Sequence, residues 1–245
     1  MRQTPDFPFY NGQPTSISGL GWLLVIASTG LAFYLLTGPV LTVLPGLLAA
    51  YSAAILFAGL PLLALHLVSK GHGTAVFHRY GIKSLGISLG FAILTICASF
   101  AVAFVLSRVF TFTANPSGDA LAGTDGWGLA IFLSRTFFQL IGEEVVTILP
   151  LLAVLWFCVQ KLNLSKGLAL TIAVIVSTAW FAAMHLPTYD WNYLQCFGII
   201  GTARLVLTAA YLLTRNLWVS AGAHIINDWS IFIFTFVGSH APIEA

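Results

Sequence analysis

The stretch Thr136-Phe-Phe-Gln-Leu-Ile-Gly-Glu-Glu-Val-Val-Thr-Ile-Leu-Pro-Leu151 decides the class of this chain. It is apolar enough to lie in a membrane, yet Glu143 and Glu144 stand side by side at its centre. A charge at the bilayer centre costs about 2.5 to 3.5 kcal/mol even on lenient insertion scales, so an intramembrane acid marks a functional site by default. Only eight acidic side chains serve all 245 residues, which makes an adjacent pair in such a place hard to attribute to chance.

Working outward, 58% of the chain is hydrophobic and 7% charged, against roughly 45 to 50% and 25% in a soluble domain. The expected fold is all-α: a polytopic membrane helix bundle of about seven or eight spans around an intramembrane cavity. Apolar runs place helices near 19 to 37, 40 to 69, 85 to 107, 127 to 160, 167 to 186, 192 to 213 and 217 to 237, with Pro45, Pro61 and Pro150 as points of kinking or breakage. A net charge of +2 without a basic cluster argues against nucleic acid and leaves membrane lipids, and something tethered among them, as partners.

Lys70, Arg79, Lys83, Lys161, Lys166 and Arg215 alternate along the chain with loops carrying Asp119, Asp125 and Asp190. The positive-inside rule then puts the N-terminus in the cytoplasm of a multi-pass plasma-membrane protein, Arg108 being the one dissent. Met1 to Ser18, with Arg2, Asp6 and three prolines, does not read as a cleavable signal peptide. Cys97, Cys158 and Cys196 read as buried thiols, and Trp22, Trp127, Trp191 and Trp218 suit an aromatic belt. His66, His72 and His78 read as a solvated cytoplasmic cluster, and Gly86 with Gly90 as a small-residue packing pair.

Residues three or four apart share a helix face. Glu143 therefore sits with Thr136, Gln139 and Thr147, whereas Glu144 sits among Phe137, Leu140, Ile141, Ile148 and Leu151. This separates a hydrated acid, free to take a proton from water, from a buried one expected to stay protonated. Two further sites follow. Phe181-Ala-Ala-Met-His185 closes one apolar helix, and His224-Ile-Ile-Asn-Asp228 places a carboxylate one turn from a histidine, with Ser220 on the same face and Asn227 beside it. Intramembrane Glu143, His185 and His224 can activate one water, with Glu143 as general base and the histidines holding the water and the oxyanion of a tetrahedral intermediate. The same three could instead hold a divalent metal such as zinc, so the cofactor is either none or a metal. No HExxH occurs.

The order Glu-Glu, Phe-x-x-x-His, His-x-x-x-Asn/Asp on successive apolar helices resembles the CPBP family of intramembrane proteases, which includes CaaX prenyl endopeptidases of the Ras-converting type and bacteriocin self-immunity proteins. The resemblance covers Trp127 to Val237, dividing the chain into N-terminal helices 1–126 and catalytic helices 127–237 of one structural unit. It implies an intramembrane endopeptidase acting on a membrane-tethered or lipidated substrate in a bacterial or archaeal membrane. Glu143, Glu144, His185, His224 and Asp228 fall at its catalytic positions, with Asn227 supporting.

One departure stands out. The family's Glu-Glu-x-x-x-Arg has Ile148 at its arginine position, so either Glu144 is neutral or a cation from elsewhere replaces the missing one. Arg204, deep in the sixth span, is the first candidate and Arg135 the second. The departure also admits an inactive immunity or partner-binding protein, and intramembrane charge admits a proton-coupled transporter, although no inverted repeat is evident. Depth raises a difficulty: at about 1.5 Å per residue His224 lies roughly 13 Å from the inner surface and His185 roughly 28 Å. Upright helices would keep them apart, leaving strong tilt, a re-entrant 186–192 segment or a displaced boundary to join them.

Overall fold

The computed structural model describes residues 6–241, so Arg2 of the N-terminal segment lies outside the described residues. Among the described residues there are helices and turns but no strand. Helix α1 spans Gly19–Thr37, α2 Gly46–Val68, α3 Ile82–Leu106, α4 Pro116–Ala122, α5 Gly126–Gln160, α6 Lys166–Met184, α7 Gly201–Thr214 and α8 Leu217–Ser239. Among the described residues, six segments are long and apolar enough to cross a membrane: α1, α2, α3, α5, α6 and the run Leu194–Thr214 that ends in α7. The chain is thus an integral membrane helix bundle. Helix α8 falls outside this set, because His224, Asn227 and Asp228 lower its apolarity.

Helix α5 is the central post. Every residue from Leu140 to Ala153 is buried, and α1, α2, α6 and α8 all pack against it. Burial on all sides explains why this segment is apolar around its circumference instead of along one stripe. Pro61 and Pro150 lie inside α2 and α5 without ending them. Neighbouring helices make this tolerable in a membrane by re-satisfying freed backbone groups. Pro45 does interrupt: Pro39–Val43 forms a separate 3-10 turn, and α2 starts at Gly46 instead of near 40.

Two elements near the site have no counterpart in the apolar periodicity. Asn115 caps the short helix α4, its side chain accepting from the Ser117 N–H at 2.9 Å, with Pro116 at the first helical position where a missing N–H costs nothing. The loop leading to α4 is fastened by Gln195, whose amide pairs with both the N–H and the carbonyl of Thr113 at 2.8 and 2.9 Å. Gln195 belongs to a π-helical turn, Leu194–Ile200, that runs into α7. Such turns gather at functional sites.

Three expectations are corrected. Trp22 is 3% exposed and packs between Phe9 and Trp156, so it belongs to the core and not to the aromatic belt. This follows from the N-terminal segment, whose Phe7, Phe9 and Ile17 are buried against the bundle. Cys97 is exposed, whereas Cys158 and Cys196 are buried as expected. Gly86 and Gly90 face open space, so they pack against no helix among the described residues.

Candidate active site

The two glutamates separate as their helix faces dictate. Glu144 is 0% exposed and Glu143 9%. Glu143 lines a cavity of about 200 Å³ together with His185, His224 and Asp228. Its Oε1 accepts from Gln139 Nε2 at 3.0 Å, and its carbonyl accepts from the Thr147 hydroxyl at 2.7 Å. The polar neighbours are those expected from the i±4 spacing.

Glu144 is the carboxylate of an ion pair, which corrects the expectation of a neutral acid. Arg204 Nη1 lies 2.5 Å from its Oε1 and Arg204 Nη2 3.0 Å from its Oε2. Both side chains are fully buried. The bidentate fork matches the carboxylate and leaves neither charge unpaired in a medium that penalises both. Thr208, one turn along α7, accepts from Arg204 Nε at 3.2 Å, and the guanidinium lies 5.1 Å over the Phe181 ring. Arg135 does not take part; it stacks on Phe132. Ile148 lies in the apolar core at 0% exposure.

The same Glu144 orients a histidine. His224 Nδ1 is 2.9 Å from Glu144 Oε1. Its Nε2 thereby faces Glu143 Oε2 and Asp228 Oδ1, each 3.7 Å away. These last two separations exceed hydrogen-bond length. A buried ring held by a carboxylate at one nitrogen has its orientation fixed and its other nitrogen available. Asn227 Nδ2 donates to Asp228 Oδ1 at 2.7 Å, while its own buried Oδ1 has no partner among the described residues.

His185 ends α6 as its C-terminal cap. Its Nδ1 donates to the Phe181 carbonyl at 2.9 Å, which leaves Nε2 as the free nitrogen. The Phe181 ring is 4.6 Å from the His185 ring and 6.2 Å from that of His224. Helices α6 and α8 are bounded close to where the sequence puts them, and His185 and His224 line one cavity. The segment after His185 turns sharply through Asp190 and Trp191, both in the left-handed region.

Asn115, Ser99 and Tyr189 also line this cavity. Nothing in the local spacing marks them, since they arrive from a loop, α3 and the turn after α6. Among the described residues no three His, Cys, Asp or Glu side chains are grouped to hold one metal ion.

Acids and histidines converging on a cavity inside a helical membrane bundle define a site with the groups of acid–base hydrolysis. Residues 125–230 match the family model for type II CAAX prenyl endopeptidase Rce1-like proteins. That Rce1-like region runs from the start of α5 into α8 and contains all of Glu143, Glu144, His185, Arg204, His224 and Asp228. It supports a CAAX-type intramembrane endopeptidase in general terms. No curated protein and no solved structure matches the chain.

Proposed function

We propose that the protein hydrolyses a peptide bond in a membrane-tethered or lipidated substrate, with Glu143 as general base. The observation that carries this reading is the convergence of Glu143, His185, His224 and Asp228 on one intramembrane cavity. Glu143 takes a proton from water as the oxygen attacks the scissile carbonyl carbon. His185, whose Nδ1–H is held by the Phe181 carbonyl, offers Nε2 as the acceptor that positions the same water. His224, oriented by Glu144, in its imidazolium form donates from Nε2 to the tetrahedral oxyanion. The carbon–nitrogen bond then breaks, and the proton held by Glu143 passes to the leaving amine, giving a carboxylic acid, whose remaining proton returns to Glu143 or the amine, and an amine. Positioning, base and oxyanion stabilisation are roles that these side chain types can fill in one cavity.

Arg204 and Glu144 hold His224 and do not touch the reacting atoms. Arg204 thus takes the place of the arginine absent at Ile148. The orientation we propose has the N-terminus in the cytoplasm. A direct test supplies membranes containing the protein with a farnesylated peptide ending in a Cys-a-a-X sequence and looks by mass spectrometry for loss of the residues beyond the lipidated cysteine. Cleavage is expected. Absence of cleavage of any lipidated or membrane-tethered peptide, with the fold intact, would favour the partner-binding alternative.

A further inference from the structure

Tyr189 lines the catalytic cavity with Glu143, His185, His224 and Asp228. It stands in the turn Pro187–Tyr189, between α6 and the run Leu194–Thr214, outside the membrane-spanning segments. The residue is half-buried, and its hydroxyl makes no hydrogen bond among the described residues.

Its backbone is tied directly to His185. The Tyr189 N–H lies 3.2 Å from both the His185 and the Leu186 carbonyls, and the Tyr189 carbonyl accepts from the Asn192 N–H at 2.9 Å. The chain then turns through Asp190 and Trp191, whose φ angles are 50° and 58°. A bulky side chain rarely adopts this left-handed region, and such strain persists where surrounding contacts over-determine it. Here the Trp191 N–H donates to the Leu186 carbonyl at 2.8 Å, and Asn192 Nδ2 donates to the Thr111 carbonyl at 3.1 Å. The tyrosine is thus carried on a fastened turn that begins at His185.

The cavity is rich in acceptors and poor in donors. Glu143, Asp228 and the free Nε2 of His185 can accept. Asn227 Nδ2 is spent on Asp228 at 2.7 Å, the Ser99 hydroxyl is buried, and Asn115 is exposed at the cap of α4. His224 Nε2 is opposed by carboxylates 3.7 Å away on two sides. Burial first, and then repulsion from the acidic groups Asp228, Cys196 and Glu143, push the Tyr189 pKa up to about 12, so the hydroxyl keeps its proton at neutral pH. A fixed neutral donor is the kind of group that stabilises negative charge developing on a carbonyl oxygen.

We propose that Tyr189 is a further catalytic residue, its O–H donating to the oxyanion of the tetrahedral intermediate beside His224 Nε2. The proton stays on the tyrosine throughout, and no covalent bond to it forms or breaks. This assignment rests on the hydrolytic reading of the same cavity.

The test compares the wild type, Tyr189→Phe and Glu143→Gln, each as the full chain in membranes, for cleavage of a farnesylated Cys-a-a-X peptide. A second probe is the same peptide with a phosphinate in place of the scissile amide, a stable tetrahedral anion that stands for the intermediate; its dissociation constant is measured for each protein. Tyr189→Phe is expected to lower kcat by about 10² to 10³ with KM within about twofold, the signature of one lost oxyanion donor. It should weaken phosphinate binding by a similar factor and leave the unfolding midpoint in place. Thr188→Ala, an exposed neighbour in the same turn, leaves all three unchanged. A wild-type kcat in Tyr189→Phe, a change confined to KM, or unaltered phosphinate binding overturns the proposal. So does a fall in kcat that accompanies a lowered unfolding midpoint, which would give Tyr189 to packing. In each of these cases an inactive Glu143→Gln keeps the general base in place, whereas a wild type that neither cleaves the peptide nor binds the phosphinate overturns both proposals together.

Discussion

Arg204 on α7 and Glu144 on α5 form a bidentate ion pair, 2.5 and 3.0 Å, with neither side chain reached by solvent. Removing one partner leaves an uncompensated buried charge, which costs about 3 to 5 kcal/mol. Arg204→Ala is expected to lower the thermal unfolding midpoint in detergent steeply, and Arg204→Met with Glu144→Leu to recover most of it. Activity should not recover with the double variant, since His224 loses its anchor. A double variant as unstable as Arg204→Ala would show that the pair does not act as a unit.

His224 can be separated from stability in the opposite way. Substituting His224→Ala leaves Arg204 and Glu144 paired, so the unfolding midpoint should move little. Cleavage should fall by about 10² to 10⁴, the usual contribution of a positioned acid–base group. A fall in stability comparable to that of Arg204→Ala, with activity retained, would assign His224 to packing.

Glycine at position 142 is required by the approach of α2 to α5. A Cβ there would stand 2.5 Å from Phe57 Cδ1 and 3.1 Å from the Ala58 backbone nitrogen. Gly142→Ala should cost about 1 to 3 kcal/mol by overpacking and lower cleavage by shifting the adjacent Glu143. Gly90→Ala, which meets open space, should be neutral or stabilising by up to about 1 kcal/mol. Unfolding midpoints of the two variants make the comparison.

Much of this site is legible because the membrane narrows the choices. An arginine at position 204 within an apolar span must find an acid, and few acids exist to be found. The i±4 rule likewise separates Glu143 from Glu144 without coordinates. It cannot reveal that Glu144 is charged, because a helix face reports its own neighbours and not what a helix 60 residues later brings. Asn115, Ser99 and Tyr189 stay invisible for the same reason. The π turn at Leu194–Ile200 leaves no trace in apolar periodicity, and Trp22 reads as interfacial until the buried N-terminal segment covers it.

At the N-terminal segment, acid sensitivity follows from Asp6. Burial by itself would raise its pKa, but the Lys166 ammonium, the Tyr10 hydroxyl and the Phe7 N–H together hold the carboxyl below its ordinary 3.8. The folded pKa is therefore the lower one, and the unfolded chain binds more protons as pH falls. The contribution is present above about pH 4 and is lost as pH falls through the depressed value. Both side chains are more than two-fifths exposed, 46% and 41%, so its size stays within about 1 kcal/mol. Unfolding midpoints at pH 5 and pH 3 should differ less in Lys166→Met than in the wild type, and an unchanged difference would contradict the assignment.

The role of Glu143 is tested most directly by cleavage in ¹⁸O-labelled water of a farnesylated Cys-a-a-X peptide by the wild type and by Glu143→Gln in matched membranes. The account predicts one labelled oxygen in the new carboxylate with the wild type, and no product with Glu143→Gln although that variant folds. Product formation by Glu143→Gln at the wild-type rate would contradict it.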